Sequence, residues 1–518
     1  MRTFGVLVVF AFFLSSSAAW AQDGATSLCS VLQWPKEFTL ADQIFTDVDG
    51  DGLKDLALSG ATADASTSRA VRIYRQRSDD PRFIQVPDWV VPLTQDVIAY
   101  AFAQVGPGPG KEMLLFTASA CFGYRLEAEQ ADQVHKIADG DFLWQLPNAY
   151  HAFSWQGAIR DFDGNGRDDV FWPQTDGFRL LMQQDDGFTV TPFRATPSEA
   201  RSVDTRPRRD PDDEDVGMRL ELQFRETGKL FGYNLTADDL ISELHETRVP
   251  VFVDFDGDAR IDVLNQARTH LIVWPQGSDA PRIWPLPLDP DDSPAFDLNQ
   301  QYILDLNRDR QCDFVLFSKD KNSKELATQV LIYMQDRDAD PEHPLFGRQG
   351  VPAQLLKIAG LPSEVQWADI NRDGYPDLSF MVFRPDLLDQ VKTLTSRSLQ
   401  LQFVMFLNDK GRFSRTPDMI KEVTVAIEED GDSRNPQGRF LVDYNGDGLL
   451  DMFVRDSESH IGLRLLRQRK NEVSISDAMA WDMTIPADAR IVHETSGPDE
   501  TPVLLVMGGR QIMYVRFK

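Results

Sequence analysis

Asp443-Tyr444-Asn445-Gly446-Asp447-Gly448-Leu449-Leu450-Asp451 reads D-x-[DN]-x-[DN]-x-x-x-D, and this nine-residue pattern occurs six times in the chain of 518 residues. The other copies are DVDGDGLKD (Asp47 to Asp55), DFDGNGRDD (Asp161 to Asp169), DFDGDARID (Asp254 to Asp262), DLNRDRQCD (Asp305 to Asp313) and DINRDGYPD (Asp369 to Asp377). Self-similarity of this kind marks a repeat protein, each unit being one supersecondary element stacked on its neighbours.

Oxygen-bearing side chains recur at positions one, three, five and nine. They are Asp47, Asp49, Asp51 and Asp55; Asp161, Asp163, Asn165 and Asp169; Asp254, Asp256, Asp258 and Asp262; Asp305, Asn307, Asp309 and Asp313; Asp369, Asn371, Asp373 and Asp377; and Asp443, Asn445, Asp447 and Asp451. Alternate oxygens in a tight loop converge on one point, and a hard cation that takes about six to eight oxygens suits such a cage. Calcium is the expected occupant, because magnesium demands a smaller and stricter octahedron, and no ligand position carries the His or Cys that zinc or copper would favour. Cys312 falls at the eighth position of its loop, outside the oxygen series.

An EF-hand opens similarly but needs Glu at loop position twelve and helices on both sides. Position twelve holds Leu58, Trp172, Asn265, Leu316, Phe380 and Val454. The flanks read as strands, with an apolar residue two before each loop (Phe45, Ile159, Phe252, Ile303, Trp367, Leu441) and another directly after it (Leu56, Val170, Val263, Phe314, Leu378, Met452). A third strand is expected at Val71–Tyr74, Phe178–Met182, Leu271–Trp274, Val330–Tyr333, Leu401–Phe406 and Ile461–Leu466, and a more polar fourth at segments such as Phe83–Val91 and Phe188–Phe193. Four short antiparallel strands per unit describe a propeller blade.

Two further units lack the ligands. QVGPGPGKE (Gln104 to Glu112) aligns with the loop pattern and leads into Met113–Phe116, and Ile491–Val515 has a turn from Glu494 to Pro502 between two apolar runs. The expected fold is therefore all-β, a single propeller of four-stranded blades, eight in number with seven as the alternative. A strand within Val31–Leu40 is expected to complete the last blade and close the ring, which removes sheet edges.

At this point the chain resembles the FG-GAP and VCBS repeat family of calcium-loop β-propellers, found in integrin α heads and in secreted bacterial proteins. The resemblance implies calcium held by side chains at positions one, three, five and nine and by a backbone carbonyl at position seven, here Leu53, Arg167, Arg260, Gln311, Tyr375 and Leu449. Ala259 and Arg310 stand where glycine is usual at position six, so those loops are expected to be strained or weaker. Phe-Gly and Gly-Ala-Pro signatures are not evident, which favours the bacterial VCBS-like branch over an integrin.

The N-terminus carries a positive residue within Met1–Thr3, an apolar run from Phe4 to Leu14, and small residues in Ala19-Trp20-Ala21. That is the pattern of a signal peptide over residues 1–21, and it predicts export to the periplasm or beyond, the propeller occupying 22–518. No later stretch approaches the roughly 18 apolar residues of a membrane span. With cysteines only at positions 29, 121 and 312, a Cys29–Cys121 bridge is left open.

Formal charge is −28, and the six loops place 20 carboxylates and 4 asparagines at ligand positions. Six dications would reduce that charge to about −16. Such acidity argues against a nucleic-acid partner. The widest gap between units holds an irregular charged insertion at about 196–246, with RSVDTRPRRDPDDED from Arg201 to Asp215, a possible strand at Leu220–Phe224, a short helix at Ala237–Glu246 and a glycosylation sequon at Asn234-Leu235-Thr236.

Catalytic signals are sparse. The seven histidines are scattered, and neither a nucleophile elbow nor a Gly-rich phosphate loop is present. Trp144, Trp155, Trp172, Trp274, Trp284 and Trp367 fit strand or core positions better than a sugar platform. The reading that requires nothing the sequence lacks is a noncatalytic binding or scaffold module for a protein or glycan. A calcium-dependent polysaccharide-active enzyme resembling rhamnogalacturonan lyases, and an integrin-like adhesion head, are the alternatives, both by analogy of fold.

Overall fold

A computed structural model describes most of residues 27–517. Outside the described set lie 1–26, 195–228, 236–241, 289–300, 384–397, 427–437 and shorter loop stretches that include 106–109, 256–259 and 497–500. The signal-peptide reading, the charged run from Arg201 to Asp215, Leu220–Phe224 and Trp144 therefore fall outside the described residues, as do the ligand positions Asp256 and Asp258.

The strands assemble into eight blades. Blade 1 is Phe38–Thr46, Asp55–Thr62, Arg69–Tyr74 and Trp89–Leu93; blade 2 is Ala99–Ala103, Glu112–Phe116, Ala120–Tyr124 and Val134–Asp139. Blade 3 comprises Ile159–Arg160, Asp169–Gln174, Gly177–Gln184 and Gly187–Arg194, and blade 4 comprises Val251–Val253, Asp262–Gln266, His270–Trp274 and Arg282–Pro285. Gln301–Leu304, Asp313–Lys319, Ala327–Tyr333 and Gln354–Ala359 form blade 5, while Leu361–Ala368, Asp377–Phe383, Ser398–Phe406 and Met419–Ala426 form blade 6. Blade 7 is Gly438–Val442, Asp451–Ser457, His460–Arg464 and Trp481–Thr484; blade 8 joins Arg490–Ser496, Thr501–Gly508 and Gln511–Phe517 to Ser27–Gln33.

The four strands named for each blade run antiparallel to their neighbours, and each position-nine aspartate begins the second strand. Second strands are covered on both faces: Asp377 to Val382 is buried throughout. Outermost strands alternate, as in Gln354–Ala359, because one face meets solvent. No α-helix occurs among the described residues.

The core is a chain of apolar clusters, each straddling adjacent blades. Leu32, Trp34, Phe38, Leu58, Leu505 and Tyr514 join blade 8 to blade 1. Ile73, Val91, Tyr100 and Met113 join blades 1 and 2, and one large cluster runs from Leu114 through Trp155 and Trp172 to Trp274, across blades 2, 3 and 4. Four more clusters link blades 4 to 5, 5 to 6, 6 to 7 and 7 to 8. Hydrophobic burial between sheets therefore closes the ring as well as building it.

Several expectations are corrected. The closing strand is Ser27–Gln33, paired antiparallel with Gln511–Phe517 from Ser27↔Phe517 to Gln33↔Gln511. Phe38 already belongs to blade 1, because Pro35 breaks the run and its carbonyl accepts the Phe38 N–H at 3.1 Å. The fourth strand of blade 1 is Trp89–Leu93, not Phe83–Val91, since Pro87 interrupts the segment; Phe83 still packs edge-on against Tyr514 with centroids 5.5 Å apart. In blade 7 the run Ile461–Leu466 divides, as Leu466 starts a separate hairpin with Glu472–Ile475.

The helix expected at Ala237–Glu246 is replaced, over the described part, by a strand at Ser242–Arg248 paired with Lys229–Leu235. Ser-Glu-Leu-His-Glu-Thr-Arg offers no helical apolar stripe, whereas an extended partner satisfies its backbone. The Cys29–Cys121 bridge does not form: Cys121 is a free thiol buried in the large cluster of blades 2 to 4, whereas Cys29 lies on the outermost strand of blade 8. Blade 2 also gains a fifth strand, Phe153–Ser154, parallel to Ala99–Ala103 on its inner edge.

Candidate metal centres

Each nine-residue loop connects the first strand of its blade to the second, so all the loops emerge on one face of the propeller. Their shape follows from left-handed residues. Gly50, Gly164 and Gly446 occupy position four at φ 82°, 75° and 73°, and Gly52, Gly166, Gly374 and Gly448 occupy position six at φ 87°, 82°, 99° and 93°. Glycine takes these angles without a Cβ clash. Arg308 and Arg372 adopt the same conformation at position four (φ 58° and 56°), and Arg310 at position six (φ 69°). Arg310→Gly is expected to stabilise the protein by about 0.5–1 kcal/mol, the relieved left-handed strain exceeding the added chain entropy. An unchanged or lower urea midpoint would contradict this.

The turn turns its backbone N–H groups inward onto its own acids. The Gly50 and Gly52 N–H groups donate to Asp47 at 2.7 and 2.9 Å, the Asp51 N–H to Asp49 at 3.2 Å and the Leu53 N–H to Asp51 at 2.8 Å. Asp161, Asp163 and Asn165 repeat the arrangement in blade 3, and Asp443, Asn445 and Asp447 in blade 7. Where position three is asparagine, its amide steadies the position-five carboxylate, as Asn307 to Asp309 (3.1 Å), Asn371 to Asp373 (2.9 Å) and Asn445 to Asp447 (3.0 Å). Carboxylate oxygens of Asp47, Asp49 and Asp55, and of Asp161, Asp163 and Asp169, lie within 4.8 Å of one another.

Position nine does a second job. Its Oδ2 accepts the N–H of position two in all six loops, from Val48, Phe162, Phe255, Leu306, Ile370 and Tyr444, at 2.8 to 3.1 Å. In five blades Oδ1 also accepts an N–H from the end of the third strand or just beyond it, from Gln76, Gln183, Gln335, Asn408 or Leu466. The aspartate thus clamps loop and sheet together. Burial raises these carboxyls, to about 7 at Asp55, Asp313 and Asp377 and about 6 at Asp169 and Asp451; the clamping N–H groups oppose the shift and the neighbouring loop carboxylates add to it.

The amide residue that follows the third strand also ties neighbouring blades. Gln335 Nε2 donates to the Phe255 carbonyl of the blade 4 loop at 3.2 Å, and Asn408 Nδ2 to the Leu306 carbonyl of the blade 5 loop at 2.8 Å. Gln76 Nε2 reaches the Tyr514 hydroxyl of blade 8 at 3.0 Å. In sequence these residues share only a short aromatic-x-amide signal, Tyr74-Arg75-Gln76, Tyr333-Met334-Gln335 and Phe406-Leu407-Asn408.

Lysines in the loops also cross-link the blades. Lys111, in the ligand-free loop of blade 2, reaches Thr46 Oγ1 at 3.1 Å and Asp168 of the blade 3 loop at 3.6 Å. Lys54 of the blade 1 loop pairs with Glu494 of blade 8 at 2.7 Å. The tryptophans behave as core residues: Trp155, Trp172, Trp274 and Trp284 are buried, and Trp367 packs against the cluster between blades 5 and 6.

No protein-family model and no curated protein matches the sequence. Among solved structures, the chain is similar to a lectin of Agrocybe aegerita that recognises non-reducing terminal N-acetylglucosamine, at 13% identity and a TM-score of 0.37, covering 89% of this chain and 94% of that one. It is also similar to the WD40 domain of SCAP from fission yeast, at 9% identity and a TM-score of 0.33, covering 95% of this chain and 94% of that one.

Proposed function

We propose that the protein is an exported calcium-binding β-propeller of the FG-GAP and VCBS type that acts as a noncatalytic binding or scaffold module for a protein or glycan. The observation that carries the calcium reading is the donor set itself. Oxygens converge in loops whose backbone N–H groups already orient them, and the carboxyls at position nine are pushed toward neutrality by burial and by the other carboxylates of the same loop. A bare cluster of this kind is electrostatically unfavourable, and a divalent cation offsets both terms.

Oδ1 of Asp305 and Oδ1 of Asp369 are buried without a hydrogen-bond partner, which fits oxygens that take a metal ion as their partner. An oxygen holding one N–H keeps a second lone pair, so the position-nine clamp is compatible with ligation. In this reading positions one, three, five and nine, with the position-seven carbonyls, hold up to six ions. Their bound charge stiffens one face of the ring, leaving the loops and central opening as a fixed surface for recognition. The propeller architecture supports a binding or scaffold role, since its rigid frame presents loops from every blade.

Binding to the folded state alone adds RT ln(1 + [L]/Kd) per site, so calcium at about a hundredfold over Kd contributes about 2.7 kcal/mol at each independent site. Purified protein stripped of metal is therefore expected to melt well below the calcium-loaded form. Coincident melts would remove the calcium reading. For the partner, calcium-loaded protein is challenged with neutral and acidic polysaccharides, recording retention and new chain ends. Retention without cleavage supports the module; new chain ends abolished by chelator would replace it with a lyase or hydrolase.

A further inference from the structure

The loops are not equivalent, and the difference lies at position four. In blades 1, 3 and 7 the position-one carboxylate is held at both oxygens by the N–H groups of positions four and six. In blades 5 and 6 position four is Arg308 or Arg372, and the bonds to the position-one acid come from position six, Arg310 to Asp305 and Gly374 to Asp369, each at 2.9 Å. Among the described residues, these are the two loops whose position-one Oδ1 is buried and without a hydrogen-bond partner.

The two arginine side chains run forward onto the next blade. Arg308 lies over the Tyr375 ring of the blade 6 loop, 5.8 Å from its centroid, where it meets no ligand carboxylate. Arg372 instead sets Nη2 3.5 Å from Oδ2 of Asp443, the position-one acid of the blade 7 loop, whose side chain is only 7% exposed. Blade 1 has a counterpart from its own sheet: Arg75 Nη1 stands 3.2 Å from Asp49 Oδ2 while its Nε is held by Asp88 at 3.3 Å.

We propose that calcium loads the ring in a graded order, the loop of blade 6 early and the loop of blade 7 late, because Arg372 is a tethered counter-ion at Asp443 that an arriving ion must displace. This rests on the calcium reading above. A bare carboxylate oxygen offers an ion a ligand with no bond to break. A carboxylate facing a guanidinium offers one whose charge is already partly met, and the remaining positive charge repels a dication a few ångströms away. An effect of about tenfold in affinity is expected from such a charge at a half-exposed site. Arg372 is thus a specificity-determining residue of a site to which its own blade does not belong, and Arg75 weakens the blade 1 site in the same sense.

The test is calorimetric titration of calcium into metal-stripped, full-length protein, comparing wild type with Arg372→Gln, Asp443→Asn and Asp369→Asn. Arg372→Gln keeps a long polar side chain on the same backbone, and equal melting in chelator shows that it folds as wild type does. Wild type is expected to bind in at least two phases. Arg372→Gln should move one equivalent of the weak phase about tenfold tighter at unchanged stoichiometry, Asp443→Asn should delete one weak equivalent, and Asp369→Asn one tight equivalent. Identical isotherms for wild type and Arg372→Gln, or loss of a tight equivalent in Asp443→Asn, overturns the graded order while leaving calcium in place. Absence of any calcium uptake by wild type overturns both.

Discussion

Protein beginning at Pro35 is expected to lose its cooperative native melt and to aggregate at concentrations where the full chain stays monomeric. The removed strand, Ser27–Gln33, covers the whole edge of Gln511–Phe517 and is the one covalent tie that brings the start of the chain back to blade 8. Its Leu32 is 1% exposed, and with it goes Trp34, which sits in the cluster joining blade 8 to blade 1. Burial of two large apolar side chains contributes about 4–5 kcal/mol, and the lost ladder bonds add about 0.5–1.5 kcal/mol each. That total matches the roughly 5–15 kcal/mol by which whole domains are stable. The exposed edge would also template pairing between molecules. Supplying residues 27–34 as a separate peptide should restore part of the melt. A truncated protein with an unchanged melting curve would refute closure by this strand.

Asp377→Ala is expected to cost about 2–6 kcal/mol, more than removal of any single position-one acid, because it strands two buried N–H groups at about 1–3 kcal/mol apiece. Those groups belong to Ile370 and Asn408, which donate to Asp377 at 2.9 and 2.8 Å, and the aspartate itself is fully buried. The loss should be greatest in calcium. Without metal, removing a carboxyl that burial holds near 7 also relieves unfavourable desolvation, and part of the cost is recovered. Asp377→Asn keeps one acceptor oxygen and should fall between wild type and alanine. Denaturant unfolding measures the free energies, and amide exchange at Ile370 and Asn408 reports the clamp directly. If Asp377→Ala unfolds at the wild-type midpoint and those amides stay protected, position nine is not the clamp.

Both effects were partly legible in the sequence. The apolar residues flanking each loop marked the paired strands, and Asp55, Asp169, Asp262, Asp313, Asp377 and Asp451 do begin the second strands of their blades. Eight units followed from six full loops and two degenerate ones, and eight blades are present. Other boundaries were misplaced where a proline or a side-chain bond ended pairing: Pro35 divided the N-terminal run, and the Leu466 N–H turned to Asp451 at 3.0 Å instead of continuing its strand. The polar look of position nine pointed to a metal ligand and concealed its role as a backbone clamp, since its N–H partners at or just beyond the end of the third strand lie at varying distances along the chain.

By itself the sequence determined the local chemistry: loops whose oxygens recur every second residue, left-handed turns at glycine, and strands long enough for four per blade. These depend on contacts between residues a few positions apart, which spacing and the allowed backbone angles dictate. Only the tertiary structure decided what each blade does to the next. It set Arg372 against Asp443, hung Asn408 and Gln335 from the loops of the preceding blades, cross-linked blades through Lys111 and Lys54, and buried Cys121 away from any partner. The physical reason is that these contacts cross the interfaces between sheets, where side chains far apart in the chain are brought together by hydrophobic closure of the ring, and no local pattern specifies which of them will meet.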